Sequence, residues 1–135
     1  MTDNDAGNRL HADTLFASLT VRDIHVSLAW YRDVMGFEVD REMTHEGTLR
    51  AVAIRAGGVR LLLNRDDGAK GLDRAKGAGF SLMLTTRQGV DAIAARITAH
   101  GGSLVSVPAD MPWGARVFRV HDPDGFSFAI SSPVA

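Results

Sequence analysis

The chain has no cysteine, which removes a disulfide framework, a thiolate metal site and a thiol nucleophile together. Neither sign of charge dominates. Fifteen Lys and Arg against 16 Asp and Glu give a formal net charge of −1, which argues against a polyanion-binding surface and against nucleic acid as a partner. No apolar run approaches the roughly 18 residues of a membrane-spanning helix. The stretch Met1 to Asp13 is polar and acidic, without the basic and apolar segments of a secretory signal. These absences predict a soluble, cytoplasmic protein with no membrane partner, whose residues 1–13 form a flexible arm. What is present, 135 residues of which 45% are hydrophobic, suffices for one core but not for one in each half.

Order within the chain repeats. A strand-like run from Phe16 leads to a helical run stopping at Gly36, and about 65 residues later a run around Ser81 leads to a helical run stopping at Gly101. In the first half, Ala17, Leu19 and Val21 alternate with Phe16, Ser18 and Thr20, as a strand's period of two requires. Asp23 stands where an N-cap would, and Val26, Trp30 and Val34 with Leu28, Tyr31 and Met35 form the stripe of a helix over 24–35. Strands follow over 37–43, 49–55 and 59–64, the last two joined through Gly57-Gly58. The charged segment 65–76 reads as a linker. The second half repeats the order with a strand over 80–85, a helix over 89–100 and strands over 103–107, 116–121 and 126–131, the final pair turning at Asp122-Pro123-Asp124-Gly125. The expected fold is α+β: two tandem βαβββ modules, about 14–65 and 78–133, in one domain over 14–135.

Thr20-Val21-Arg22-Asp23, the block from Ser27 to Phe37, Trp113-Gly114 and the turn at 121–125 together resemble the vicinal oxygen chelate superfamily, which includes the glyoxalase I, bleomycin-resistance and extradiol dioxygenase families. The similarity spans about Leu15 to Ser132. It implies a curved, cup-shaped mixed sheet with helices on the convex side, holding a small molecule within a homodimer.

Metal-dependent members of that superfamily place His, Gln or Glu at four concave positions. Carried over, these fall on Phe16, about Leu62, Ser81 (or Phe80 with a one-residue offset) and Ala129. None offers the lone pairs of imidazole or carboxylate, so no metal and no other cofactor is expected. Among the histidines, His11, His25, His45, His100 and His121 show no His-x-His, i, i+4 or His-Glu-x-x-His spacing. His45-Glu46 are adjacent, and adjacent strand residues point to opposite faces.

Without a metal, a cup holds its ligand by burial, stacking and a few polar anchors. The expected lining is Phe16, Ser18, Leu62, Ser81, Met83, Trp113, Arg119 and Ala129. Trp113 either stacks on a planar ligand or shields a sheet edge or dimer interface. Arg119, sharing a predicted face with Val117 and His121, is the favoured anchor for a ligand carboxylate or phenolate. Ser18, Ser81, Ser127 and Ser131 have no assignable His-acid partner, and no catalytic residue is named. The reading is a metal-independent small-molecule-binding protein of the glyoxalase/bleomycin-resistance type, sequestering a toxic aromatic or amphipathic compound. The alternative is a lyase, isomerase, hydrolase or dioxygenase of the same superfamily, metal-independent or with relocated ligands.

Overall fold

The computed structural model describes residues 7–134; the first half of the expected arm, residues 1–6, lies outside them. The elements follow the expected order. The first module comprises β1 (Ala17–Val21), helix α1 (Ile24–Ala29, continuing as wider π-type turns over Trp30–Met35), β2 (Glu38–His45), β3 (Thr48–Ala56) and β4 (Val59–Arg65). The second comprises β5 (Ser81–Thr85), α2 (Val90–Ala99), β6 (Leu104–Asp110), β7 (Ala115–His121) and β8 (Ser127–Pro133). The strands form two four-stranded mixed sheets, ordered β1-β4-β3-β2 and β5-β8-β7-β6. In each the first strand runs parallel to the last, and the other pairs are antiparallel.

Asp23 caps α1 as its position predicts, its carboxylate accepting from the His25 and Val26 amides. The second half of that helix differs from a uniform α-helix. The Phe37 amide reaches back to the Tyr31 carbonyl at 2.8 Å, and Gly36 takes a left-handed φ of 87° that few other residues adopt without strain. Over six residues the apolar stripe cannot separate the two helical periods, so the widening was not visible in the sequence.

One core serves both modules. Leu19, Val21, Val52, Ile54, Leu61 and Leu63 from the first sheet join Phe118, Val120, Phe128 and Ile130 from the second, with Leu28, Tyr31, Ala94 and Ile97 of the helices between them. The helices meet at Gly102, where a Cβ would lie 2.6 Å from Ile97 Cγ2 and 2.7 Å from Val34 Cγ1, so only glycine permits the approach. Arg96 of α2 spans the same junction, donating to the Val34 carbonyl at 2.8 Å.

A polar latch also joins the modules. Tyr31 is fully buried and donates its hydroxyl to Asp122 Oδ2 at 2.8 Å, while Asp122 Oδ1 accepts from the Asp124 and Phe126 amides. Asp124 in turn takes the Arg22 guanidinium at 2.8 Å and the Ser27 hydroxyl at 3.4 Å. Among the described residues every buried side-chain nitrogen or oxygen has a hydrogen-bond partner. Such satisfaction is what makes a buried carboxylate tolerable.

The charged segment between β4 and β5 is a fastened strap. Asp66 and Lys76 form a buried ion pair at 2.7 Å, the Asp66 carboxylate also accepts from the Gly68 amide, and Arg22 donates to the Leu72 and Arg74 carbonyls. No helix is long and apolar enough to cross a membrane among the described residues.

Candidate functional site

Strand register maps the sheet faces turned away from the core. On the first sheet, one cross-strand row is Ser18, Leu62, Ala53 and Arg41, and the next is Thr20, Asn64, Ala51 and Met43. On the second, the rows are Ser81, Ser127 and His121, then Met83, Ala129, Arg119 and Ser106, then Thr85, Ser131, Val117 and Ala109. Alternate residues of the same strands, Leu19, Leu61, Leu63, Phe118, Phe128 and Ile130, are buried in the core. The two-residue period of a strand explains both sets at once.

Seven of the eight residues singled out in the sequence divide between these faces, and the eighth, Trp113, stands on a turn. Phe16, immediately before β1, accompanies Ser18 and Leu62 on the first sheet, and Asn64 donates from its amide to the Ser18 hydroxyl. Ser81, Met83, Arg119 and Ala129 lie on the second, with Met83 and Arg119 flanking Ala129. Ala129 is only 1% exposed, because its single methyl cannot reach past those longer neighbours. Trp113 projects from the Met111–Gly114 turn between β6 and β7 and is 70% exposed, so within one chain it shields no edge. Phe16 at 57% and Met83 at 68% are likewise uncovered. Among the described residues no strand of one sheet is hydrogen-bonded to a strand of the other.

The four positions implied for metal ligands carry a phenyl ring, an isobutyl group, a hydroxyl and a methyl, which do not fit a divalent cation. Among the described residues no three His, Asp or Glu side chains converge so as to hold a metal ion. His45 and Glu46 sit on the exposed β2–β3 turn with 3.8 Å between Nε2 and Oε1. His25 lies in the first turn of α1, His100 caps α2, and His121 is exposed on β7.

The acidic groups of the family-like turn serve the fold. Burial raises Asp122 above the usual carboxylate range, against the opposing pull of its bonds from Tyr31, Phe126 and Asp124. Burial also raises Tyr31, helped by the neighbouring Asp122 charge. Asp110 is engaged at 3.0 Å by Arg116, which also holds Asp91 at 2.8 Å and is raised mainly by the Asp91 bond.

A cleft of about 570 Å³ lies elsewhere, between the β3–β4 turn and the start of α2, with Met35, Phe37, Gly57, Gln88 and Arg96 in its walls. Sequence reading missed it because it forms where residues from both modules meet. Its cation, Arg96, is already spent on the Val34 carbonyl. A smaller hollow of about 310 Å³ is lined by Thr20, Arg65, Asp67, Lys70 and Arg74 beside the strap.

Residues 11–130 match the family model "Glyoxalase/Bleomycin resistance protein/Dioxygenase superfamily". No curated protein matches the chain. Among solved structures, TioX from Micromonospora sp. ML1 superposes with a TM-score of 0.73 at 23% identity, covering 90% of this chain and 100% of its own. TnmS3, described as an antibiotic binding protein from Streptomyces sp. CB03234, gives 0.71 at 22% identity, covering 93% and 99%. A superfamily member from Sphaerobacter thermophilus DSM 20745 gives 0.73 at 24% identity, covering 91% and 99%. At these identities the likeness carries the fold.

Proposed function

The chain belongs to the Glyoxalase/Bleomycin resistance protein/Dioxygenase superfamily, and from that premise we propose that it is a small-molecule-binding protein that needs no metal and sequesters an aromatic or amphipathic compound in a cup between sheet faces. The observation that carries the reading is the chemistry of the four corner positions. Phe16, Leu62, Ser81 and Ala129 leave affinity to shape, burial and stacking.

The uncovered apolar side chains support a second element of the proposal, a homodimer. Phe16, Met83 and Trp113 stay more than half exposed in one chain, and apolar surface of that kind is stabilised by coverage. A second copy that set one sheet face against the other would bury it and close the cup. Trp113 would then stack on a planar ligand, worth about 0.5–1.5 kcal/mol beyond area burial. A neighbour of the same fold described as antibiotic binding supports the reading, and resistance to a toxic compound in the cytoplasm is the corresponding role.

Titration with a panel of planar natural products, followed by tryptophan emission, tests the reading. Saturable quenching that Trp113→Phe abolishes, at one ligand per cup and in a species of dimer mass by light scattering, is expected. Turnover of a ligand dependent on added metal would instead establish the enzymatic alternative.

A further inference from the structure

We infer that the ligand is an anion, a planar or amphipathic molecule whose carboxylate, sulfonate or phenolate is recognised by Arg119. This rests on the binding reading above and assigns the charge that reading leaves open. Arg119 stands on β7 between Ala129 and Ser106, at the middle of the second sheet's outward face. Strands β5, β7 and β8 contain no acidic residue, and the one on β6, Asp110, is taken by Arg116 at 3.0 Å.

Two other strand arginines are neutralised within the fold, whereas Arg41, Arg50, Arg60 and Arg65, also on strands, form no ion pair among the described residues. Arg55 meets Glu38 at 3.1 Å and Asp40 at 2.9 Å, and Arg116 meets Asp91 as well as Asp110. Among the described residues no carboxylate lies within ion-pair range of Arg119. The polar groups sharing its face with Met83, Ala129, Val117 and Ala109 are the hydroxyls of Ser81, Ser106, Ser127, Ser131 and Thr85, together with His121. The first sheet adds Arg60, which stands opposite the already neutralised Arg55 and likewise lacks a carboxylate partner. A chain of net charge −1 therefore presents faces whose unpaired side-chain charge is positive.

Closure of a cup makes this arrangement selective. A guanidinium covered without a counter-ion loses hydration that nothing replaces, so a neutral ligand leaves a cost in place. An anionic group removes it and gains charge-assisted, two-pronged hydrogen bonding, with serine hydroxyls completing its shell.

Two probes with the same rings separate charge from shape: anilinonaphthalene sulfonate and the neutral phenylnaphthylamine, both fluorescent when taken up by apolar sites. The wild-type protein is expected to bind the sulfonate about tenfold more tightly. That preference should shrink as potassium chloride is raised. Arg119→Gln should weaken the sulfonate by about tenfold and change the neutral probe by less than about twofold. Arg87→Gln, an exposed cation in the β5–α2 loop, should alter neither. Equal affinity for both probes, or a sulfonate affinity untouched by Arg119→Gln, overturns the anion inference while leaving a binding cup intact. Failure of both probes and of the natural-product panel to bind removes the cup, and with it this inference.

Discussion

Removing one oxygen, in Tyr31→Phe, is the sharpest test of how the two modules are joined. The hydroxyl donates to Asp122 Oδ2 at 2.8 Å in a fully buried setting, and Oδ1 of that carboxylate is already satisfied by the Asp124 and Phe126 amides. The phenyl ring would keep its edge contacts with Trp30 at 4.8 Å, Phe37 at 5.6 Å and Phe128 at 5.9 Å, so packing changes little. The loss is then that of a hydrogen bond to a charged acceptor, about 2 kcal/mol, within the range of roughly 1.5–3 for such bonds. For a domain of this size that lowers Tm by about 6–10 °C. Urea unfolding should show one transition with an unchanged slope and an earlier midpoint. Asp122→Ala, which leaves the Tyr31 hydroxyl and the Asp124 and Phe126 amides without their acceptor, should cost more than Tyr31→Phe. A Tyr31→Phe protein within about 0.5 kcal/mol of wild type, or modules that unfold separately, would refute the latch.

Other expectations can be checked in the same way. Gly102→Ala puts a methyl within 3 Å of Ile97 and Val34 and should cost about 1–3 kcal/mol by chemical denaturation, whereas Gly58→Ala meets nothing within 4 Å and should be neutral or slightly stabilising. Because the Asp122 carboxyl is raised above 3.8 in the folded protein, its contribution is fully present below that pH and lost as pH rises through the raised value. Wild type should therefore gain stability relative to Asp122→Asn on acidification from neutral pH toward pH 4, as urea midpoints would report. Asp66 has the opposite sign: its bond from Lys76, foremost, lowers it, so its contribution is present above 3.8 and lost as pH falls through the depressed value. Lys76→Met should lower Tm near neutral pH, and the deficit should narrow below the usual carboxylate range.

Elements and faces were legible because they follow local periods. Leu19 and Val21 buried beside exposed Ser18 and Thr20, and Asp23 capping a helix that stops at Gly36, need no knowledge of distant residues. What joins distant residues was not legible. Tyr31 reads as one more member of an apolar stripe, and nothing in its vicinity announces a hydroxyl partner 91 residues away. Segment 65–76 reads as solvated because charge runs usually are, yet Asp66 and Lys76 find each other in the interior. Which strand arginines are paired, Arg55 and Arg116, and which are not, Arg119 among them, also depends on register. For the candidate site, the parity of β1, β5 and β8 identified one face of each sheet, but the cleft beside Arg96 needed both modules in place.

The claim on which the functional account turns is that capture needs no cation. Equilibrium binding of anilinonaphthalene sulfonate, measured on protein dialysed against EDTA and again after addition of Zn²⁺, Ni²⁺, Mn²⁺ or Fe²⁺, addresses it directly. One affinity throughout is predicted; binding that disappears with the chelator and returns with a particular metal would contradict it.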